Sequence, residues 1–284
     1  MTWFFAIFLS VFLYAISVLL QRTVLKAENT DPTAFSIFTQ VFIAVLIAIY
    51  ALFTTGLYFT FTNSMIFPLI LLVFLYGFGS LAIQHALKLS DAATFTLLFA
   101  SRGIFTVIAS TLLLHEGLNP KQIFGVVFIF ISIVLVTLKT RSISIRKADL
   151  IALLAALLLG FANTNDRYLL GVMQLYPFLI LAYLLPALFS AVIFPKSAMK
   201  MFTMFSFTTF VKSCIFCVLY AISGVTFFIA LQTAPNSSQV AIINLSSVIL
   251  IVVFSMIFLK ERENVGRKLL AVAISFAGLV LLTL

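Results

Sequence analysis

Ten times along this chain a run of about 20 apolar residues stands between short polar connections, roughly at 2–21, 32–55, 67–87, 91–114, 121–139, 149–170, 177–194, 210–232, 237–259 and 265–284. An α-helix rises about 1.5 Å per residue and a bilayer core is about 30 Å thick, so about 20 apolar residues are what a spanning helix needs. A membrane barrel would instead show segments of about 10 residues with alternating polarity. The chain is 63% hydrophobic and 9% charged, against about a quarter charged in soluble domains. The class is therefore an all-α polytopic membrane protein. Pro32, Pro68, Pro120, Pro177 and Pro235 stand at or just before helix starts, where a missing N–H costs little. The connections are short, the longest near 195–209, and none can hold a soluble domain. The first run begins at Thr2 with neither a basic stretch before it nor a small-residue cleavage site, so no cleavable signal is expected.

Polar and proline landmarks recur at a near-constant offset. Gln21-Arg22 and Pro32 return 145 residues on as Asp166-Arg167 and Pro177. Leu75-Tyr76 and Ala86-Leu87 return 144 residues on as Leu219-Tyr220 and Ala230-Leu231. Ser101, Glu116 and Asn119 return as Ser246, Glu261 and Asn264, again at 145. The expected organisation is ten transmembrane helices in two five-helix repeats, 1–144 and 145–284, within one membrane domain. Five is odd, so the second copy enters the membrane inverted, and inverted repeats are the signature of secondary transporters.

The net charge of +9 sits in the connections and reads as a topology signal rather than a nucleic-acid surface. Connections after odd-numbered spans carry nearly all the basic residues, among them Arg22, Lys26, Lys88, Lys196 and Lys268, whereas the other side carries Lys121 and Arg167. The positive-inside rule makes the first set cytoplasmic and both termini external.

Arg102 lies at the middle of the fourth run. An arginine at that depth costs roughly 2.5–3.5 kcal/mol on insertion scales and persists only facing a protein interior or wet cavity. It has two readings, a structural ion pair or a cationic anchor for a carboxylate or phosphate of a substrate. Its repeat counterpart is Ser247, an asymmetry that favours a ligand with one anionic end. The densest polar cluster inside an apolar run is Asn163-Thr164-Asn165-Asp166-Arg167. It reads as an interfacial helix end, or as a site in which Asp166 is a counter-ion to Arg102 or a proton-coupling carboxylate. Tyr76 and Tyr220 match across the repeat and can face each other over a cavity. Asn244 and Ser247, three apart, share a helix face. Gln84 and His85 lie near the cytoplasmic end of the third run, where His85 reads as interfacial or pH-sensing. Cys214 and Cys217 sit one turn apart in an apolar span, a packing position rather than a disulfide or metal site. No HExxH, GxSxG or P-loop occurs, so neither an enzyme nor a cofactor is expected.

Ala86-Leu87-x-x-Ser90 leads into the fourth run, which ends Leu113-Leu114-His115-Glu116, with Gly125 in the run after it. Ala230-Leu231 through Leu259-Lys260-Glu261-Arg262 repeats this theme. The pattern resembles the drug/metabolite transporter superfamily in its EamA-like branch, although His115 and Lys260 replace the usual glycine before the glutamate. The connection from Gly56 to Phe67 also lacks the basic cluster that many members carry. The resemblance implies a central cavity lined by spans 1, 3, 4, 6, 8 and 9, peripheral spans 5 and 10, and structural roles for Glu116 and Glu261. It implies substrates among amino acids, nucleotide-related compounds, sugar phosphates and drugs, without fixing one. The expectation is a monomeric plasma-membrane transporter of a small carboxylate- or phosphate-bearing solute working by alternating access, with protons as a possible coupling ion. The expected site is Arg102, Tyr76, Tyr220, Asn163, Asn165, Asn244 and Ser247, with Asp166 for coupling. A multidrug or cation exporter is the alternative; a membrane-embedded enzyme or channel is a weaker one.

Overall fold

A computed structural model describes residues 3–27, 30–54, 56, 58–59, 61–114, 120–139, 142–143, 146–201, 206–233, 237–260 and 264–283. It is helical throughout, apart from two-residue strands β1 (Leu138–Lys139) and β2 (Ser142–Ile143), paired antiparallel. The helices are α1 (Trp3–Leu25), α2 (Pro32–Thr54), α3 (Ile66–Leu89), α4 (Ala92–Phe99), α5 (Arg102–Leu114), α6 (Pro120–Thr137), α7 (Lys147–Val172), α8 (Leu175–Ile193), α9 (Pro195–Lys200), α10 (Phe207–Thr233), α11 (Ser237–Phe258) and α12 (Val265–Thr283). Among the described residues six helices, α1, α2, α3 (with the 3-10 turn Asn63–Met65 before it), α7, α8 and α10, are long and apolar enough to cross a membrane. Shorter apolar helical stretches are Ala92–Thr106, Ile123–Leu135 and Ser247–Phe258. This is a multi-pass membrane protein. Bulky apolar side chains such as Phe53, Phe67, Phe130 and Val192 point outward, as a hydrocarbon solvent allows.

The connections are tied by side-chain caps. Asp31 accepts the Thr33 N–H at 2.9 Å to start α2, and Asp91 accepts the Thr94 N–H at 2.8 Å to start α4. At the head of α7, Asp149 accepts from the Arg146 backbone N–H at 2.9 Å and its guanidinium at 3.1 Å. The three bonds from backbone N–H groups satisfy donors that a helix start would otherwise leave open, and the guanidinium adds an ion pair.

The packing pairs helices from opposite halves of the chain. α1 lies on α10 and α11, α7 on α3 and α5, α2 on α8, and α6 on α12. The largest core is built from α1, α2, α3, α4, α7, α8 and α10. A second joins α4, α6, α11 and α12 through Ala93, Leu97, Ile129, Val252 and Ala271. α6 and α12 meet closely at Gly278, where a Cβ would lie 2.8 Å from the Gly125 carbonyl oxygen.

The fourth apolar run departs from expectation. The spacing predicts one helix over 91–114, but α4 ends at Phe99 and α5 begins at Arg102. Across the break the bonds tighten to three residues, Ser101 N–H to Leu98 O at 3.2 Å and Gly103 N–H to Ala100 O at 3.1 Å. The Ser101 hydroxyl also donates to Leu98 O at 2.7 Å. A serine that bonds back to its own turn, followed closely by a glycine, weakens the helical ladder here. Apolar periodicity alone does not register such a break.

Candidate functional site

Arg102 is positioned by a close crossing of α5 and α7. A Cβ on Gly160 would stand 2.5 Å from Phe105 Cβ and 2.8 Å from the Arg102 carbonyl oxygen, so only glycine lets α7 approach this turn. Thr106 fastens the crossing, donating to Arg102 O at 3.0 Å and Gly160 O at 3.1 Å. The guanidinium rides 5.0 Å above the Phe99 ring. Among the described residues no carboxylate lies within 4.0 Å of it.

Two cavities meet at this arginine. The larger, about 500 Å³, is lined by Arg102, Asn163, Asp166, Tyr220, Ser223 and Asn244, among others. It extends toward the Trp3 end of α1 and the C-terminal ends of α7 and α10. The smaller, about 90 Å³, runs the other way, past Gln21, Gln40, Ser80 and Gln84. Tyr14, Arg102, Tyr183 and Tyr220 line both. Tyr220 is the centre of the aromatic cluster, with Tyr14 at 5.9 Å, Tyr183 at 6.4 Å and Phe216 at 5.6 Å between ring centroids. The wall between the cavities is therefore one cation among phenols.

Beyond the smaller cavity the chain is laced together. Gln21 Nε2 donates to Gln84 Oε1 at 2.9 Å, and Arg22 donates to the Lys88 carbonyl at 3.0 Å. Lys88 donates in turn to the Thr30 carbonyl. Thr33 and His85 share a hydrogen bond of 3.2 Å, which makes His85 part of this closure rather than a lone interfacial group. Asp31 accepts from Ser197 at 2.9 Å, tying α2 to α9.

Of the residues expected at the site, Arg102, Asn163, Asp166, Tyr220 and Asn244 line the larger cavity together. Tyr76, Asn165 and Ser247 line neither cavity. Tyr76 does not face Tyr220 across a cavity; its phenol donates to Asp166 Oδ2 at 2.5 Å. Asn165 donates to the Pro68 carbonyl at 2.9 Å, because residues 163 and 165 are about 200° apart on a helix. Ser247 is buried in the packing of α11, so Asn244 and Ser247 do not present one cavity face. Asp166 is not the partner of Arg102: Tyr76 holds one of its oxygens, and the other, Oδ1, is buried without a hydrogen bond. Glu116, Asn119 and Glu261 lie outside the described residues, as do the side chains of Arg167 and Ser246.

Sequence reasoning missed Tyr14, Tyr183 and Gln40. Gln40 carried a usable signal, an amide inside an otherwise apolar run; the two tyrosines did not, since spans hold several tyrosines that only pack. The lining also draws on α2, through Thr39 and Gln40, and on α8, through Tyr183. It is thus broader than the six spans the resemblance implied, while no described side chain of α6 or α12 is among the lining residues.

Comparison with known proteins agrees with this architecture. One solved crystal structure superposes with a TM-score of 0.63 over 98% of this chain and 94% of its own, at 15% sequence identity, a likeness of fold alone. No curated protein matches. Residues 1–138 match the model of the EamA-like transporter family. Over those residues the chain is similar to the EamA-like transporters, a family that belongs to the drug/metabolite transporter superfamily.

Proposed function

We propose that this protein is a secondary transporter that moves a small carboxylate- or phosphate-bearing solute by alternating access, with Arg102 holding the anionic end. The observation that carries this reading is the position of Arg102: it lies in the shared wall of two cavities, and among the described residues no carboxylate stands beside it. A cation set at membrane depth for structure alone would be paired. The helix pairing supports two inverted five-helix repeats, 1–144 and 145–284. Exchanging each helix with its counterpart 145 residues away turns the α1–α10 and α1–α11 contacts into those of α7 with α3 and α5. The spans in this reading are α1, α2, α3, the broken α4–α5, α6, α7, α8, α10, α11 and α12. The basic connections are cytoplasmic in the plasma membrane, both termini are external, and the chain acts as a monomer. The laced closure lies on the basic side, so this conformation is the outward-facing one. Asp166, lining the outer cavity, is the coupling carboxylate.

The test is a thermal-shift screen of the detergent-solubilised protein against amino acids, organic acids, nucleotides and cationic drugs, in parallel with Arg102→Ala. Stabilisation by an anionic compound that vanishes in the mutant, followed by saturable flux of that compound in liposomes, is the expected result. Stabilisation that persists in the mutant sinks the anchor. A second reading, a cation or multidrug exporter, is favoured by the unpartnered Oδ1 of Asp166, a residue that lines the larger cavity together with Tyr183, Tyr220, Phe227 and Phe228. Stabilisation by cationic drugs alone would select it.

A further inference from the structure

The smaller cavity is built differently from the one above it. Three glutamines from three helices converge there: Gln21 on α1, Gln40 on α2 and Gln84 on α3, with exposures of 5%, 6% and 5%. All are more than nine-tenths buried, and each is held in a fixed orientation by only part of its amide. Gln21 uses its nitrogen on the Gln84 oxygen at 2.9 Å. Gln40 uses its nitrogen on Ser80 Oγ at 2.9 Å, Ser36 Oγ at 3.0 Å and Ser36 O at 3.2 Å. Ser36 also donates to Ser80 at 3.2 Å, which fixes the acceptors.

Among the described residues these bonds leave three amide atoms without a protein partner: the oxygens of Gln21 and Gln40 and the nitrogen of Gln84. None of the three is sealed in the packing, so each keeps surface in the cavity. Orienting buried amides while leaving half of each unsatisfied is costly for a purely structural cluster. It suits a ligand that supplies the missing bonds. The space of about 90 Å³ equals roughly three water volumes, enough for one carboxamide or a pair of hydroxyls. No carboxylate lines it, and its cation is Arg102 at the wall it shares with the outer cavity.

We propose that Gln21, Gln40 and Gln84 form a subsite for an uncharged hydrogen-bonding group, a carboxamide or hydroxyls, on the solute whose anionic end Arg102 holds. This rests on the anchor reading of Arg102 and narrows the substrate class to anions with a polar, neutral tail. The three glutamines are specificity-determining residues: a site built to hydrogen-bond a ligand group rejects an analogue that lacks it. Gln21 and Gln84 also bond each other on the basic side, so a ligand tail bound there touches the closure itself.

The experiment measures apparent Kd by thermal shift on the full-length purified protein. The probes are gluconate and succinamate, set against hexanoate, which has the carboxylate without the polar tail. Wild type is expected to bind at least one polar-tailed probe about tenfold or more tighter than hexanoate. Gln40→Met and the double variant Gln21→Met/Gln84→Met keep side-chain volume, and the double variant removes both partners of one bond, so folding is preserved. Unliganded melting and a monodisperse elution profile check this. Each variant is expected to weaken the polar-tailed probe about tenfold and leave hexanoate unchanged, while Arg102→Ala weakens all three. Equal affinity for all probes in wild type, no stabilisation by any of them, or polar-tailed binding that survives both glutamine variants overturns the subsite and leaves a water-filled space. If the glutamine variants discriminate but Arg102→Ala has no effect, the subsite stands and the anchor reading falls.

Discussion

Two crossings in this molecule occupy equivalent places and have opposite chemistry. α5 crosses α7 through Arg102, Thr106, Gly160 and Asn163, a polar seam opening on the larger cavity. α1 also meets α11, and the residues 145 positions from those four are Ser247, Ile251, Ala15 and Val18. Ala15, Val18 and Ile251 there form an apolar cluster with Leu19 and Ala92. One helix crossing thus borders the larger cavity and the other forms apolar core. On the proposed repeat, the difference teaches that the way helices meet recurs at the 145-residue offset while the side chains at the two meetings differ in polarity. In the proposed carrier, one cation on one side gives a ligand with one anionic end a single binding orientation.

The strongest way to break the comparison is to exchange the two chemistries. Ser247→Arg sets an arginine at a buried position of the apolar crossing and is expected to cost about 2.5–3.5 kcal/mol, read as a lowered Tm or failure to accumulate in membranes. The reverse change, Arg102→Ser, is expected to leave Tm unchanged or raised while abolishing stabilisation by anions. A large loss of Tm would instead make Arg102 a structural group. Next in size is Gly160→Ala, whose Cβ meets Phe105 and the Arg102 carbonyl; overpacking of this kind costs about 1–3 kcal/mol. Ala15→Gly at the other crossing is expected to cost about 0.5–1 kcal/mol, and equal losses at both would erase the contrast.

The Asp166 seam sharpens the comparison further. Tyr76→Phe strips the remaining hydrogen bond from the carboxyl group and is expected to cost about 1–3 kcal/mol of stability. Asp166→Asn is expected to flatten the pH dependence of flux in liposomes, and a profile unchanged from wild type would remove Asp166 from coupling.

The smallest expected effect lies outside both crossings. Burial pushes the Asp91 carboxyl up, but the Lys268 ammonium and the bonds from Thr94 more than offset this and leave it below its ordinary value. A carboxylate lowered on folding adds stability above its unfolded pKa of about 4. That stability is lost as pH falls through the folded value. Lys268→Met is expected to shrink the acid-side fall in Tm, and an identical acid limb in the mutant would refute the assignment.

Much of this was legible in the chain. Membrane class and helix limits follow from apolar run length, and observed boundaries such as Pro32–Thr54 and Leu175–Ile193 lie within a few residues of those expected. Arg102 and Asp166 stood out because charges are rare in such runs. The rest was not legible, since whether a polar side chain reaches a cavity depends on which face its helix presents. Asn163 and Asn165 differ by two residues, yet one lines the cavity and the other caps a distant carbonyl.

The sequence by itself determined a polytopic helical chain with a recurring landmark pattern and one deep arginine, because hydrophobic length and the cost of buried charge are local properties. Only the tertiary structure decided that Ser101 interrupts the fourth run. It alone put Tyr76 against Asp166, and brought Gln21, Gln40 and Gln84 from three helices to one cavity below Arg102. These are relations between helices, fixed by close approaches such as the one at Gly160, and no single run contains them.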